Sequence, residues 1–347
     1  MQEALKNKNK KILRIFLNYF FGPILFCWLS WSVYRQILHQ PNLHSSWINI
    51  KQSIQSFNGA CLFFSVLFLM LVNWSLEAVK WKLSVHAVQP ISFSRAFKAI
   101  MTGVSFSITT PNRVGEYFGR MLYMDEGNRL RIVSLTIVSS MSQLIITLLF
   151  GLIGTIILHS TIVKDQLLAG IGSSIWLQVL EFGVTAVLVI LTLFYFRLSL
   201  FANLITRWKN SSRWAYLVTA LQQLDATLLL KLLSLSAARY IVFIIQYFLL
   251  LRLFEVEISR WNSLWMVSVI FLILAIIPSF AIAELGQRQW VSLEFLKIYS
   301  SNHLGIGFTA VTIWAINLVI PAVIGSLLIL RIKILKNKDE NNRNSSA

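Results

Sequence analysis

Long apolar runs separated by short basic segments constrain this chain more than any other feature. They cover residues 12–34, 58–76, 132–158, 175–196, 232–254 and 305–330. About 20 apolar residues suffice for a helix to cross the hydrocarbon core of a bilayer, and a helix satisfies its own backbone there. A mean hydropathy of +0.67 and a charged content of only 13% exclude a soluble globular fold. The expected class is an all-α polytopic membrane protein with about six full transmembrane helices. Residues 1–11 read as a basic cytoplasmic N-terminus, 12–335 as one integral membrane domain, and 336–347 as a disordered cytoplasmic tail. The run at 12–34 is too long for a signal peptide and lacks a cleavage site, so it reads as a retained first span.

In a soluble protein the net charge of +17 would point to nucleic acid. Here the basic residues lie between apolar runs, where they set topology and meet anionic headgroups, so no nucleic-acid partner is expected. Lys6, Lys8, Lys10 and Lys11 place the N-terminus in the cytoplasm, as Arg331, Lys333, Lys336 and Lys338 do the C-terminus. Cys27 and Cys61 fall in apolar segments and read as packing residues. The five histidines show no ligand spacing, so neither metal nor cofactor is expected. Within the polar stretch 35–57, Trp47, Ile50 and Ile54 share a helical face, which suggests an interfacial helix.

Two apolar runs are too short to cross. The first, 96–108, meets Thr109-Thr110-Pro111-Asn112-Arg113-Val114-Gly115-Glu116-Tyr117-Phe118-Gly119-Arg120. Proline lacks an N–H and turns its predecessor away from helix, so one half-helix should end near Thr110 and another begin at Pro111, capped by Thr109 or Thr110. On that second half-helix Arg113, Glu116 and Arg120 would form one charged face, while Gly115 and Gly119 would form a smooth face for close packing. Charges at bilayer depth cost about 2.5–3.5 kcal/mol each on insertion scales and so face partners or a polar cavity. The second short run, 264–277, breaks at Pro278 and leads to Glu284, Gly286 and Arg288. Glu116 and Glu284 are separated by 168 residues, as are Arg120 and Arg288.

Both stretches read as re-entrant hairpins. The Lys/Arg bias sets them on opposite faces, which makes two inverted halves at about 58–196 and 232–330. Elsewhere, Asn73, Glu77 and Lys80 share a face that a wet, tryptophan-flanked helix end explains at least as well as a site does. Arg239, on the face of Gln246, is expected to snorkel to the interface.

Thr110-Pro111-x-Arg113-x-Gly115-Glu116-x-x-x-Arg120, with the later Pro278…Glu284-x-Gly286-x-Arg288, resembles the lysylphosphatidylglycerol synthase transmembrane-region family of flippase-like membrane proteins. The likeness extends over roughly 73–330. It implies a multi-pass protein of a bacterial or archaeal plasma membrane that moves or handles polar lipids. The multiple peptide resistance factors of this family add a cytoplasmic aminoacyl-transferase domain. No stretch of these 347 residues is left for one, so synthase activity is not implied. Two departures stand out. Ser139-Ser140-Met141-Ser142-Gln143 replaces a Glu-Arg pair that many members carry, and Phe280-Ala281-Ile282-Ala283 replaces a glycine-rich approach to the second glutamate.

The leading functional expectation is a polar-lipid translocase, or a lipid-handling membrane protein, that binds an anionic or zwitterionic lipid headgroup at the midplane. Arg113, Arg120 and Arg288 would neutralise the phosphate of an anionic phospholipid or of a polyprenyl or glycolipid phosphate. Glu116 and Glu284 would hold those arginines or meet a cationic headgroup, and half-helix N-termini at Pro111 and Pro278 would add favourable dipoles. The alternatives are an intramembrane lipid-phosphate or glycolipid transferase, and a membrane scaffold for a separate lipid-modifying enzyme. No catalytic residues are expected, because each carboxylate has an arginine at i+4 that keeps it ionised.

Overall fold

The computed structural model describes residues 43–108, 110, 113–165, 174–198, 221, 224–278 and 283–330, with 27–28, 31, 34–35 and 37–39. All the elements in this set are helical. In chain order they are α1 (Leu43–Gln55), α2 (Phe57–Val85), α3 (Phe93–Ile108), α4 (Gly115–Met121) and α5 (Arg129–Asp165). There follow α6 (Ser174–Phe196), α7 (Ala226–Leu253), α8 (Arg260–Ile276), α9 (Ala283–Leu296) and α10 (His303–Trp314). The last continues through a π-helical turn, Ala315–Val319, within an apolar stretch that runs to Leu330.

Among the described residues, five helical stretches are long and apolar enough to cross a membrane: Phe57–Val85, Arg131–Ser160, Leu177–Phe196, Ala226–Leu253 and His303–Leu330. They coincide with five of the six expected spans. The remaining one, 12–34, lies almost wholly outside the described residues, as do the N-terminal segment 1–11, the tail 336–347 and most of the connection 197–231. The 16 residues of α3 extend only ~24 Å and the 17 of α8 only ~26 Å at 1.5 Å per residue, short of a hydrocarbon core of about 30 Å. In each case the helix is interrupted and a short helix then packs against it, α4 on α3 and α9 on α8.

The π turn has a local cause. Pro321 cannot donate to the carbonyl of Asn317, and its ring crowds that oxygen, so the preceding turn widens. The helix expected within 35–57 forms as α1. It buries Ile50 and sets Trp47 6.1 Å from the Phe308 ring of α10. Cys27 and Cys61 are free thiols and exposed, so neither is the packing residue expected of it. An apolar neighbourhood in sequence does not decide which side of a helix a residue occupies.

The structure divides into two compact units. The first comprises Met1–Met70, Gln143–Leu193 and Tyr240–Trp314; the second comprises Leu71–Ser142, Phe194–Arg239 and Ala315–Ala347. In the first unit, Leu148, Val184 and Leu272 form a leucine-rich core with Leu152, Leu180, Leu188 and Leu191. Gly151 lets α8 approach α5 closely, since a Cβ there would sit about 2.5 Å from that of Leu272. In the second unit α3 is the centre. Its Ala96, Ala99, Ile100 and Met101 are fully buried, and Ser105 donates to the carbonyl of Ala322.

Candidate functional site

In the second unit the break between α3 and α4 places charge beside apolar helices. Helix α3 ends at Ile108, two residues before the expected Thr110. Helix α4 starts at Gly115 rather than at Pro111; Pro111 and Asn112 lie outside the described residues. The delay has a cause in the backbone. Arg113 has φ 57°, in the left-handed region, and a helix cannot run through it. Thr110 still serves the second half-helix, since its hydroxyl accepts the Gly115 N–H at 2.7 Å.

Arg113 therefore lies ahead of the helix rather than on a helical stripe with Glu116 and Arg120 as expected; Glu116 and Arg120 pair across one turn. A helix of seven residues also supplies little of the dipole expected at Pro111. The glycine face is present. A Cβ on Gly119 would lie 2.5 Å from the Gly103 Cα, and one on Gly115 would collide with the Phe106 carbonyl. That contact holds α4 flat on α3 and carries Arg120 inward until 1% of it is exposed.

What receives Arg120 is Glu77 of α2, 2.9 Å from its Nη2. Glu77 is also bonded by Arg239 of α7 and lies 3.0 Å from the Lys80 ammonium. Lys80 reaches Ser236 at 3.3 Å, and Ser236 meets Ser142 at 2.8 Å. Arg239 Nε donates to Asn73 Oδ1 at 2.9 Å. Two tryptophans close the cluster, with Arg120 over Trp81 at 5.9 Å and Arg239 over Trp74 at 5.7 Å.

Asn73, Glu77 and Lys80 are thus no wet helix end; they are 0%, 5% and 1% exposed. Nor does Arg239 snorkel, because the Glu77 carboxylate, held among the same helices, offers it a closer partner than the interface. Sequence reasoning left these four out of the binding set. The available signal was the spacing of 73, 77 and 80, a polar stripe along two turns of an apolar helix.

The balance of the cluster determines what it can do. Lys80, Arg120 and Arg239 confront Glu77 and Glu116, so cations outnumber carboxylates. Several donors also have no hydrogen-bond partner among the described residues: Arg120 Nε and Nη1, the Asn73 amide nitrogen and the Ser139 hydroxyl, all buried. Ser139 lies in the serine-rich stretch that departs from the family pattern. A buried cluster richer in donors than in acceptors, with surplus positive charge, is matched to an oxyanion.

The second motif sits in the first unit. Helix α8 ends with Ile277 extended, as a residue before proline must be, and α9 begins at Ala283. Glu284, 6% exposed, receives both Nε and Nη2 of Arg288, at 3.1 and 2.9 Å. Gln287 donates to the Pro278 carbonyl at 3.2 Å and ties the new helix to the break. Gly286 is buried on α9. Each motif thus holds a Glu–Arg pair, and the first is the one that Glu77, Lys80 and Arg239 extend into a cluster.

These features define a class: a multi-pass helical membrane protein with broken half-helices and a buried, cation-rich cluster. The family model of the lysylphosphatidylglycerol synthase TM region matches residues 42–332 of the 347. The chain belongs to that family, and it is a lipid-related integral membrane protein. No curated protein and no solved structure matches it.

Proposed function

We propose that this protein is a polar-lipid translocase in which the cluster of Glu77, Lys80, Glu116, Arg120 and Arg239 receives a lipid phosphate. The observation that carries this reading is the buried Arg120 guanidinium, which commits Nη2 to two carboxylates while Nε and Nη1 have no hydrogen-bond partner among the described residues. A guanidinium is a planar fork of donors that grips phosphate in a bidentate way, and two of its nitrogens are left for that task here. Glu77 holds three cations at one point. Glu116, on the seven-residue α4, is the more exposed carboxylate and the one able to trade partners as a headgroup arrives. The reading contains no catalytic step, since Glu77, Glu116 and Glu284 are each bound by a guanidinium and none is poised as a base.

The test is retention of lipid. Wild-type protein carried through repeated detergent exchange should keep phospholipid that mass spectrometry identifies. Arg120→Gln should lose it several-fold while eluting as the same monodisperse species. Equal retention by both proteins would contradict a phosphate site at Arg120.

A further inference from the structure

A second polar cavity, of about 590 Å³, opens in the first unit, where α7 ends and α8 begins. Four charged side chains line it: Arg252, Glu255, Glu257 and Arg260. Among the described residues none of the four forms an ion pair, although opposite charges share one wall. Arg252 instead lies over the Phe248 ring, 5.8 Å from its centroid. Charges of both signs, unmatched among the described residues, around a cavity of ligand size suit a molecule that itself carries both signs.

The wall that presents the carboxylates is built into the fold. Glu255 has φ 55°, and Glu255 and Arg113 are the non-glycine residues with positive φ among those described. A left-handed glutamate persists only where its surroundings impose it. Here Asn302 imposes it, its side-chain amide donating to the carbonyls of Phe254 at 3.0 Å and Glu255 at 2.9 Å. The Asn302 side chain is fixed in turn by accepting the Gly305 N–H at 2.9 Å. Gly305 carries no Cβ because one would collide with the Phe254 carbonyl. The backbone strain at Glu255 is therefore supported by the start of α10.

The remaining wall is apolar and belongs to helices that cross the membrane. Leu62 of α2 and Phe248 of α7 line it. Beyond Leu62, α2 exposes Phe64 and Phe68, a surface matched to acyl chains. Asn58 and Ser53 add neutral donors at the mouth.

We infer that this cavity binds the headgroup of a zwitterionic phospholipid, with phosphate on Arg252 and Arg260 and ammonium on Glu255 and Glu257. It is a site separate from the Arg120 cluster and needs no translocation. The apolar wall selects a lipid over the same headgroup free in water.

Binding to purified full-length protein in detergent distinguishes the sources. The probes are dihexanoyl phosphatidylethanolamine, dihexanoyl phosphatidylglycerol and water-soluble glycerophosphoethanolamine. Wild-type protein should bind the ethanolamine lipid about tenfold more tightly than either other probe. Glu255→Gln with Glu257→Gln should abolish the preference over phosphatidylglycerol, and Arg252→Gln with Arg260→Gln should weaken binding of both lipids. All four are exposed, so these variants should fold, and an unchanged melting curve checks it. No preference in wild type, a preference that survives the carboxylate variant, or equal affinity for the soluble headgroup would each overturn the inference.

Discussion

Glu77 is the residue on which the second unit's electrostatics turn. It accepts from Arg120, Arg239 and Lys80 at once, with 5% of its surface exposed. Removing one partner of a buried ion pair costs about 3–5 kcal/mol because the other charge is left uncompensated. Glu77→Gln removes the carboxylate that three cations share and should cost at least that much, seen as a large fall in melting temperature in detergent or failure to accumulate in the membrane. Adding Lys80→Gln should recover part of the loss. A melting temperature equal to wild type would show that Glu77 does not neutralise the cluster. Glu116→Gln, at the half-buried end, should cost far less.

The Glu116–Arg120 pair was legible in the sequence, since i and i+4 meet on any helix. That Glu77 and Arg239 complete the cluster was not. Arg120 and Arg239 lie 43 and 162 residues from Glu77, and only tertiary packing joins them.

At the scale of elements, the hairpin of α3 and α4 depends on glycine contact. Substituting alanine for Gly119 pushes a Cβ to within 2.5 Å of the Gly103 Cα, and overpacking of this kind costs about 1–3 kcal/mol. At Gly183 of α6 an added methyl would meet nothing within 4 Å, so alanine there should be neutral or slightly stabilising. Thermal melts of Gly119→Ala and Gly183→Ala check the pair, and equal melting temperatures would show that α4 does not rest on Gly103.

A short apolar run followed by proline was enough to place both helix breaks. The start of α4 was not readable. It depends on a left-handed Arg113 and on the Thr110 hydroxyl reaching five residues ahead, neither of which propensity encodes. The π turn before Pro321 was available in principle, because the proline alone dictates it.

For the whole molecule, five of the six expected spans coincide with helices able to cross a membrane, because apolar length is a direct physical requirement of the bilayer. Family membership was legible for a different reason. The residues that break helices and carry charge at depth are few and chemically distinctive, and the family model covers 42–332. Which charges gather into one cluster was the least legible feature, since periodicity assigns residues to helical faces without saying which faces meet.

The central claim is that buried arginine moves lipid phosphate across the membrane, and vesicle translocation tests it most directly. Wild-type protein, Arg120→Ala and Arg120→Gln should be reconstituted at equal amounts with a fluorescent phospholipid, and its exchange between leaflets followed by impermeant quenching. Wild-type vesicles should exchange the lipid, and each variant, once shown to be folded, should fall to the rate of protein-free vesicles. Wild-type rates from both folded variants would contradict the account.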